Sequence, residues 1–328
     1  MENNLVFHQD RRDLPEALGP DKSLSDLHRH LDGSLRPDTL HELAASLGYR
    51  VPQDLKFQPG MGLAEALARF SFTLSLLRTP AAVQRVAREI CEDAASEGVS
   101  TLEIRFGPQL HIDAAAAAQG LTTEAILDAA LAGVAEHSEV GVILCGIYGE
   151  PPEVIEHLVD LAASRRRVVG IDLAGGPLPE HRARMADYRA AFHRAAALGL
   201  GRTVHAGEGR PPSEIRDAIE ILGAQRIGHG TTLLADPSVT ALVRERGVTI
   251  EACITSNVHT GVIGRAQEHP LVRMLEQGIR ATVCTDNTLL SDVNAPHEYA
   301  LARRLQGMTE ARFAELLASG PRARFRRA

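Results

Sequence analysis

The chain reads as a single (β/α)8 barrel of the TIM type with a short helical lid inserted after its first strand. Three observations predict this. Eight short apolar runs of strand-like composition alternate with longer segments of helical period, which implies a parallel sheet with enough units to close a barrel. The Gly-x-Gly-x-x-Gly fingerprint of the competing doubly wound open sheet is missing after the first strand. Histidines and acids also interrupt the apolar runs at strand ends, where barrels of this class gather reactive groups.

In order, Ser23 to His30 alternates apolar and polar residues and runs into a Gly33 to Pro37 turn, so it is the first strand. Pro37 to Leu47 has helical spacing and stops at Gly48. The polar, glycine-containing stretch from Val51 to Gly62 leads into helical segments Leu63 to Leu77 and Ala81 to Glu97. Thr101 to Phe106 is the second strand. Ala114 to Ala118 is of low complexity and reads as a surface loop or short helix. Strands follow at Val142 to Tyr148, Val168 to Ala174, Thr203 to Ala206, Arg226 to His229, Thr249 to Ile254 and Ala281 to Thr285. Between them lie helices Glu124 to Glu136 (before the third strand), Pro152 to Arg165, His181 to Leu198, Ser213 to Leu222, Val239 to Arg246 and Pro270 to Gln277.

Composition sets the frame around these elements. Residues 1–22 are charged and lack an apolar signal core, which makes them an N-terminal arm on a cytoplasmic protein; residues 23–320 are the catalytic barrel domain. Residues 321–328, with Arg322, Arg324, Arg326 and Arg327, are expected to be a frayed, solvated basic tail. A net charge of -7 argues against a nucleic-acid partner, and no apolar run is long enough for a membrane span. Cys91, Cys145, Cys253 and Cys284 stand singly, which suits buried thiols and excludes a Cys-x-x-Cys zinc site. The oligomeric state is left open.

The chemistry collects at four strand ends. His28 and His30, two apart on a strand, project to one side and can share a metal ion. An isolated His-x-His is more often a core residue beside a surface residue. Here the fifth strand ends in His205-Ala206-Gly207-Glu208, the sixth in His229 and the eighth in Thr285-Asp286-Asn287. Barrel closure brings four histidines, an aspartate and a glutamate around one axis. Three imidazoles and a carboxylate suit one hydrolytic Zn2+ with a position open for water. The remaining histidine can orient or deprotonate that water, and a protonated glutamate can donate to a nitrogen. Glu103 and Arg105 face one side of the second strand and suit a charged contact inside the barrel. His111, His137, His157, His181, His193, His269 and His297 read as surface or capping residues; His259 can reach the pocket mouth.

The runs His28-Arg29-His30-Leu31-Asp32-Gly33-Ser34-Leu35-Arg36-Pro37, Gly170-Ile171-Asp172-Leu173-Ala174-Gly175, His205-Ala206-Gly207-Glu208, Gly228-His229-Gly230, Thr255-Ser256-Asn257 with Thr260-Gly261, and Thr285-Asp286 resemble the adenosine deaminase family of the amidohydrolase superfamily. The resemblance implies one zinc per chain on His28, His30, His205 and Asp286, and hydrolytic removal of the 6-amino group of an adenine nucleoside. It implies catalytic roles for Glu208, which protonates ring N1, for His229, which positions and deprotonates the attacking water, and for Asp286. It places Asp32 on the ribose 5' side, Gly175 at ring N3, and His30 and Asn287 against the substrate. Asn287 stands where the family commonly has aspartate; its amide can donate to ring N7 without first acquiring a proton. Tyr148-Gly149-Glu150-Pro151 also departs from the usual pattern, as does the stretch from Phe57 to Phe70, where the resemblance implies the short helical lid inserted after the first strand, so a 5'-modified adenosine such as 6-amino-6-deoxyfutalosine, of menaquinone biosynthesis, is the alternative substrate. A bridged dimetal amide hydrolase would need a fourth-strand lysine, which is absent, and the cytidine-deaminase signature is absent too. A nucleoside-binding barrel without turnover has no need for an acid beside the metal.

Overall fold

The computed structural model describes residues 23–327. Eight strands form one parallel sheet in sequential order: β1 (Leu24–His30), β2 (Val99–Phe106), β3 (Val140–Ile147), β4 (Val168–Ala174), β5 (Gly201–Ala206), β6 (Arg226–His229), β7 (Thr249–Ala252) and β8 (Arg280–Val283). The sheet closes just past β8. His30 N–H donates to the Asp286 carbonyl at 2.7 Å, and Asp286 N–H donates to the His28 carbonyl at 2.8 Å. Closure therefore brings two histidines of the first strand beside an acid near the other end of the chain. β3 and β4 are nearly continuous apolar runs, as expected where both faces are covered, whereas the other strands carry polar or charged residues.

Helices ring the sheet, and local chemistry sets their ends. The helix Pro80–Ser96 starts at Thr79, whose side chain accepts from Ala82 N–H at 3.2 Å, with Pro80 in the first turn. It buries Val83, Val86, Ala87 and Ile90 on one face at helical spacing. The Ala114–Ala118 stretch is a one-turn helix capped by Asp113, which accepts from Ala116 N–H at 2.7 Å. The lid helix is Leu63–Leu76. No helix among the described residues is long and apolar enough to cross a membrane.

Four elements differ from the sequence reading. The fourth-to-fifth strand connection is mostly irregular, with regular helix only over Arg189–Ala197, because Pro177 and Pro179 interrupt the turn after β4. The seventh strand stops at Ala252 and the chain turns into a short helix, Ile254–His259, which carries Thr255, Ser256 and Asn257. Two helices, Ala295–Arg303 and Glu310–Ala323, were not anticipated.

The fourth difference is the basic end, which is docked rather than frayed. Phe325 lies under the barrel, where a Cβ on Gly201 or Gly170 would fall 2.0 or 2.8 Å from its ring. Those two strand glycines open the space that the ring fills. The Arg226 guanidinium sits 3.7 Å over the ring centroid, Phe325 N–H donates to Glu103 at 2.6 Å, and Arg327 donates to the carbonyls of Ala162, Ala163 and Arg165. The N-terminal arm, residues 1–22, lies outside the described residues.

Above this plug the barrel axis is filled by charge. Arg226 pairs with Glu103 and lies 2.7 Å from Glu251. Glu251 in turn accepts from Arg105 at 2.8 Å, and Arg105 donates to Asp172 at 2.8 Å. The contact expected of Glu103 and Arg105 thus becomes a buried ladder that ends beneath the histidine cluster.

Candidate metal centre and active site

The ladder orients the histidines. His28 Nδ1 donates to Glu251 at 2.7 Å, and His205 Nδ1 lies 3.0 Å from Asp172 Oδ2. A neutral imidazole that gives its Nδ1 proton to a carboxylate keeps a lone pair on Nε2, as a metal ligand requires. Burial opposes charge on Glu251, yet Arg105, Arg226 and His28 hold its carboxyl well below the usual range. Burial likewise opposes charge on Asp172, and His205 and Arg105 hold it well below. Both acceptors are therefore anionic at neutral pH.

The Nε2 atoms converge. His28 Nε2 is 3.2 Å from His30 Nε2, which is 3.4 Å from His205 Nε2. Asp286 Oδ1 is 3.5 Å from His28 Nε2 and 3.4 Å from His30 Nε2. Donors held about 2.0–2.1 Å from a tetrahedral ion stand about 3.3 Å from one another, so the three His28, His30 and His205 nitrogens and the Asp286 oxygen beside His28 and His30 are spaced as ligands of one ion, while His205 and Asp286 stand farther from each other. Lone pairs packed this closely repel unless a cation lies between them. The residues present therefore fit a metal ion.

Two sets of donors are mutually close enough to share an ion: His28, His30 and His205, which Asp286 joins through His28 and His30, and a second set of His28, His229, Cys253 and Asp286. The second suits one less well. Burial raises the Cys253 thiol well above its ordinary range, and it is the thiolate that ligates.

The backbone is strained at this point. His229 (φ 66°) and Asp286 (φ 63°) are two of three non-glycine residues in the left-handed region among those described. Each side chain is turned there at the end of its strand. Asp286 also accepts from Ser256 Oγ at 2.6 Å, which occupies its second oxygen.

A cavity of about 530 Å3 opens over the cluster, a volume typical of small-molecule sites. Its floor carries His30, His205, His229 and Asp286; Glu208, Asp32, Asn287 and Gly175 are on its walls. Every residue singled out from the sequence as catalytic or substrate-binding lines this cavity, and His28 lies beneath it, fully buried. Glu208 accepts from Thr260 Oγ1 at 3.2 Å and lies 3.9 Å from His229. Burial lowers His229 to about 4, so its ring is neutral at pH 7. Burial pushes Asp32 up to about 7. Asp32 Oδ1 and Asn287 Oδ1 are both buried without a hydrogen-bond partner. Gly33 makes room for Asn287, since a Cβ there would fall 1.9 Å from that oxygen. Gly175, at φ 74°, turns the chain at the end of β4. The outer wall is apolar, with Leu63, Leu67, Phe70 and Leu74 of the lid helix opposite Leu110 and Leu178.

Some functional positions escaped the sequence reading. His111 and His269 are buried, not superficial; His111 Nδ1 meets the Leu77 carbonyl at 2.9 Å, and His269 contacts Asn257. His181 lines the cavity, whereas His259 packs edge-on against Phe57 behind its wall. Glu251 carried no signal of its own, because an acid in a strand is commonplace alone, and Asn257 entered only as part of the Thr255-Ser256-Asn257 motif, without a role.

Known proteins resemble this chain in sequence and fold. A sequence model described as adenosine deaminase matches residues 23–327. An adenosine deaminase of Clostridium perfringens (strain SM101 / Type A) is 34% identical over 290 residues, covering 84% of this chain and 85% of its own. An adenosine deaminase of Shewanella halifaxensis is 36% identical over 301 residues, covering 87% and 88%. Among solved structures, the N6-methyl-AMP deaminase from Arabidopsis thaliana superposes with a TM-score of 0.80 at 27% identity over 93% of this chain and 92% of its own. An Arabidopsis relative complexed with IMP superposes with a TM-score of 0.81 at 28% identity, covering 92% of each chain. With the matching family model spanning the barrel from its first strand to the docked C-terminal segment, the chain belongs to the adenosine deaminase family.

Proposed function

We propose that the protein is a zinc-dependent aminohydrolase that converts an adenosine-type nucleoside to the inosine-type product and ammonia. The observation that carries this reading is the set of four metal-competent donors, with neighbouring donors 3.2–3.5 Å apart, at and just beneath the floor of the same cavity that holds Glu208. His28, His30, His205 and Asp286 would hold the ion. Zinc, when bound, supplies the Lewis acidity that lets water act as a nucleophile at neutral pH.

The chain's own residues then handle orientation and protons. Glu208 faces ring N1 and delivers a proton there as the water oxygen bonds to C6. The second water proton leaves with the amino nitrogen when the C6–N6 bond breaks, so ammonia departs and a C6 carbonyl forms. His229 holds the water in line with C6. Asn287 donates its amide to N7, its oxygen being turned toward Gly33, and Gly175 N–H serves N3. Asp32 receives the 5' hydroxyl, which would give its unpartnered oxygen a donor.

Asp32 also speaks to substrate class. In its anionic form, which gains ground above about pH 7, Asp32 repels a phosphate at the 5' end, so a neutral nucleoside is expected to be turned over faster than AMP or N6-methyl-AMP, the more so as pH rises. The test is ammonia release from adenosine, adenine, AMP, N6-methyl-AMP, 5'-methylthioadenosine and aminodeoxyfutalosine with zinc-loaded protein. Adenosine as the best substrate, with Glu208→Gln keeping its zinc but losing about 10²–10⁴ in kcat, is the expected pattern. No ammonia from any adenine compound would refute the reading; preference for aminodeoxyfutalosine would move the protein to the menaquinone-linked alternative.

A further inference from the structure

On the cavity floor His229 Nδ1 faces a hydrogen-bond donor, with the Glu208 carboxylate farther off at 3.9 Å, whereas His205 Nδ1 faces a carboxylate. Asn257 Nδ2 lies 3.0 Å from His229 Nδ1, and Asn257 Oδ1 lies 3.2 Å from His269 Nε2. Either contact alone could be reversed by turning the amide over or moving a ring proton. The far end of the chain removes that freedom. The backbone N–H of Leu271, which can only donate, points to His269 Nδ1 at 3.2 Å.

The protons therefore run one way. His269 Nδ1 accepts, and burial lowers this ring to about 3, so it is neutral and carries its single proton on Nε2. That proton goes to Asn257 Oδ1. The amide then presents its NH2 to His229 Nδ1, which must accept. A neutral His229 is left with its proton on Nε2, the nitrogen for which no protein partner is found among the described residues. Asn257, His269 and His229 are all buried, at 0%, 4% and 2% exposure, so water does not compete for these bonds.

We propose that Asn257 and His269 are positioning residues that lock His229 in its Nε2–H tautomer, so that it offers the attacking water a hydrogen-bond donor and not a base. The contrast with the neighbouring rings supports this. His28 and His205 give Nδ1–H to carboxylates, which frees their Nε2 lone pairs; His229 meets an amide donor, which does the reverse. The same proton explains why His229, though within reach of an ion, is not part of the converging set. This inference rests on the deaminase reading for its consequence. With His229 neither gaining nor losing a proton, the Glu208 carboxylate takes a proton from water and passes it to N1. The water oxygen bonds to C6, and the remaining hydroxyl proton leaves with the amino group as ammonia.

The experiment is 15N-resolved NMR of the imidazoles in zinc-loaded protein, with the His229 signal assigned through His229→Gln, alongside kcat and KM for adenosine. Wild type is expected to show an unprotonated Nδ1 and a protonated Nε2 on His229. Asn257→Asp, whose carboxylate can only accept, should move the proton to Nδ1 and lower kcat by about 10² or more while KM holds. Should Asn257→Asp fail to fold, His269 supplies the second route: His269→Gln, which keeps a donor toward Asn257, should retain the wild-type signal and most of kcat, and His269→Leu should lose both. A wild-type His229 protonated on Nδ1, or a tautomer reversed by Asn257→Asp with kcat unchanged, overturns the proposal. If wild type turns over no adenine nucleoside, the deaminase reading fails, and the NMR signal alone still decides the tautomer.

Discussion

Replacing Glu251 by glutamine tests whether the interior charge ladder supports the metal site. One carboxylate here accepts from three donors, His28 Nδ1 at 2.7 Å, Arg105 Nη2 at 2.8 Å and Thr203 Oγ1 at 3.0 Å, and forms an ion pair with a fourth group, Arg226, whose Nε lies 2.7 Å away. Glutamine has nearly the same shape but only one accepting oxygen, which can satisfy at most two of them, and its NH2 confronts the rest. Losing two charge-assisted bonds at about 1.5–3 kcal/mol each gives about 3–6 kcal/mol. Stripping a buried partner from a cation gives a similar figure, about 3–5 kcal/mol. The expected loss is thus about 4 kcal/mol, a large share of a typical folding free energy of about 5–15 kcal/mol. His28 would also lose its anionic acceptor, and zinc affinity should fall about 10–100-fold. Urea unfolding of the metal-free protein measures the first effect, and competition with a chromogenic chelator the second. A loss below about 1 kcal/mol together with unchanged zinc affinity would show that the ladder carries neither load.

Three further outcomes are expected. Phe325→Ala should cost about 2–4 kcal/mol, because the half-buried ring fills the space above Gly170 and Gly201 and stacks on Arg226; an unchanged melting temperature would return the C-terminal segment to the frayed tail expected from sequence. Gly33→Ala should raise KM for the nucleoside by displacing the Asn287 amide, and unaltered kinetics would remove Asn287 from the base-binding wall. Burial pushes Glu298 up to about 7 from 4.5, so the folded state binds its proton more tightly than the unfolded state does. Its contribution is full below about pH 4.5 and is lost as pH rises toward 7, by about 3 kcal/mol at most. Glu298→Gln should flatten that decline, as read from urea midpoints at pH 5 and pH 8; a variant that keeps the wild-type slope rules Glu298 out as its source.

Much of the site was legible because barrel closure turns a sequence pattern into geometry. His28, His30, His205, His229 and Asp286 each break an apolar run at a strand end, and any closed parallel barrel carries such positions to one mouth. What escaped notice depends on pairings across the axis. Glu251 meets Arg105 across 146 positions and Arg226 meets Glu103 across 123, and nothing in either strand's own pattern names the partner. The strand reading ran into the helix Ile254–His259 because Ile254 extends the apolar run of β7, and the contact its asparagine makes with His269 comes from a residue twelve positions on. Phe325 was missed for a similar reason. An aromatic among arginines at a chain end looks solvated until the two glycines that receive it come from different strands.

Zinc K-edge absorption of the purified, zinc-loaded protein tests the four-donor site most directly. One zinc per chain with only nitrogen and oxygen neighbours, at about 2.0–2.1 Å, is the expected spectrum. A sulfur neighbour near about 2.3 Å would place the ion on Cys253 instead, and protein that binds no zinc would leave the converging histidines without the cation their geometry calls for.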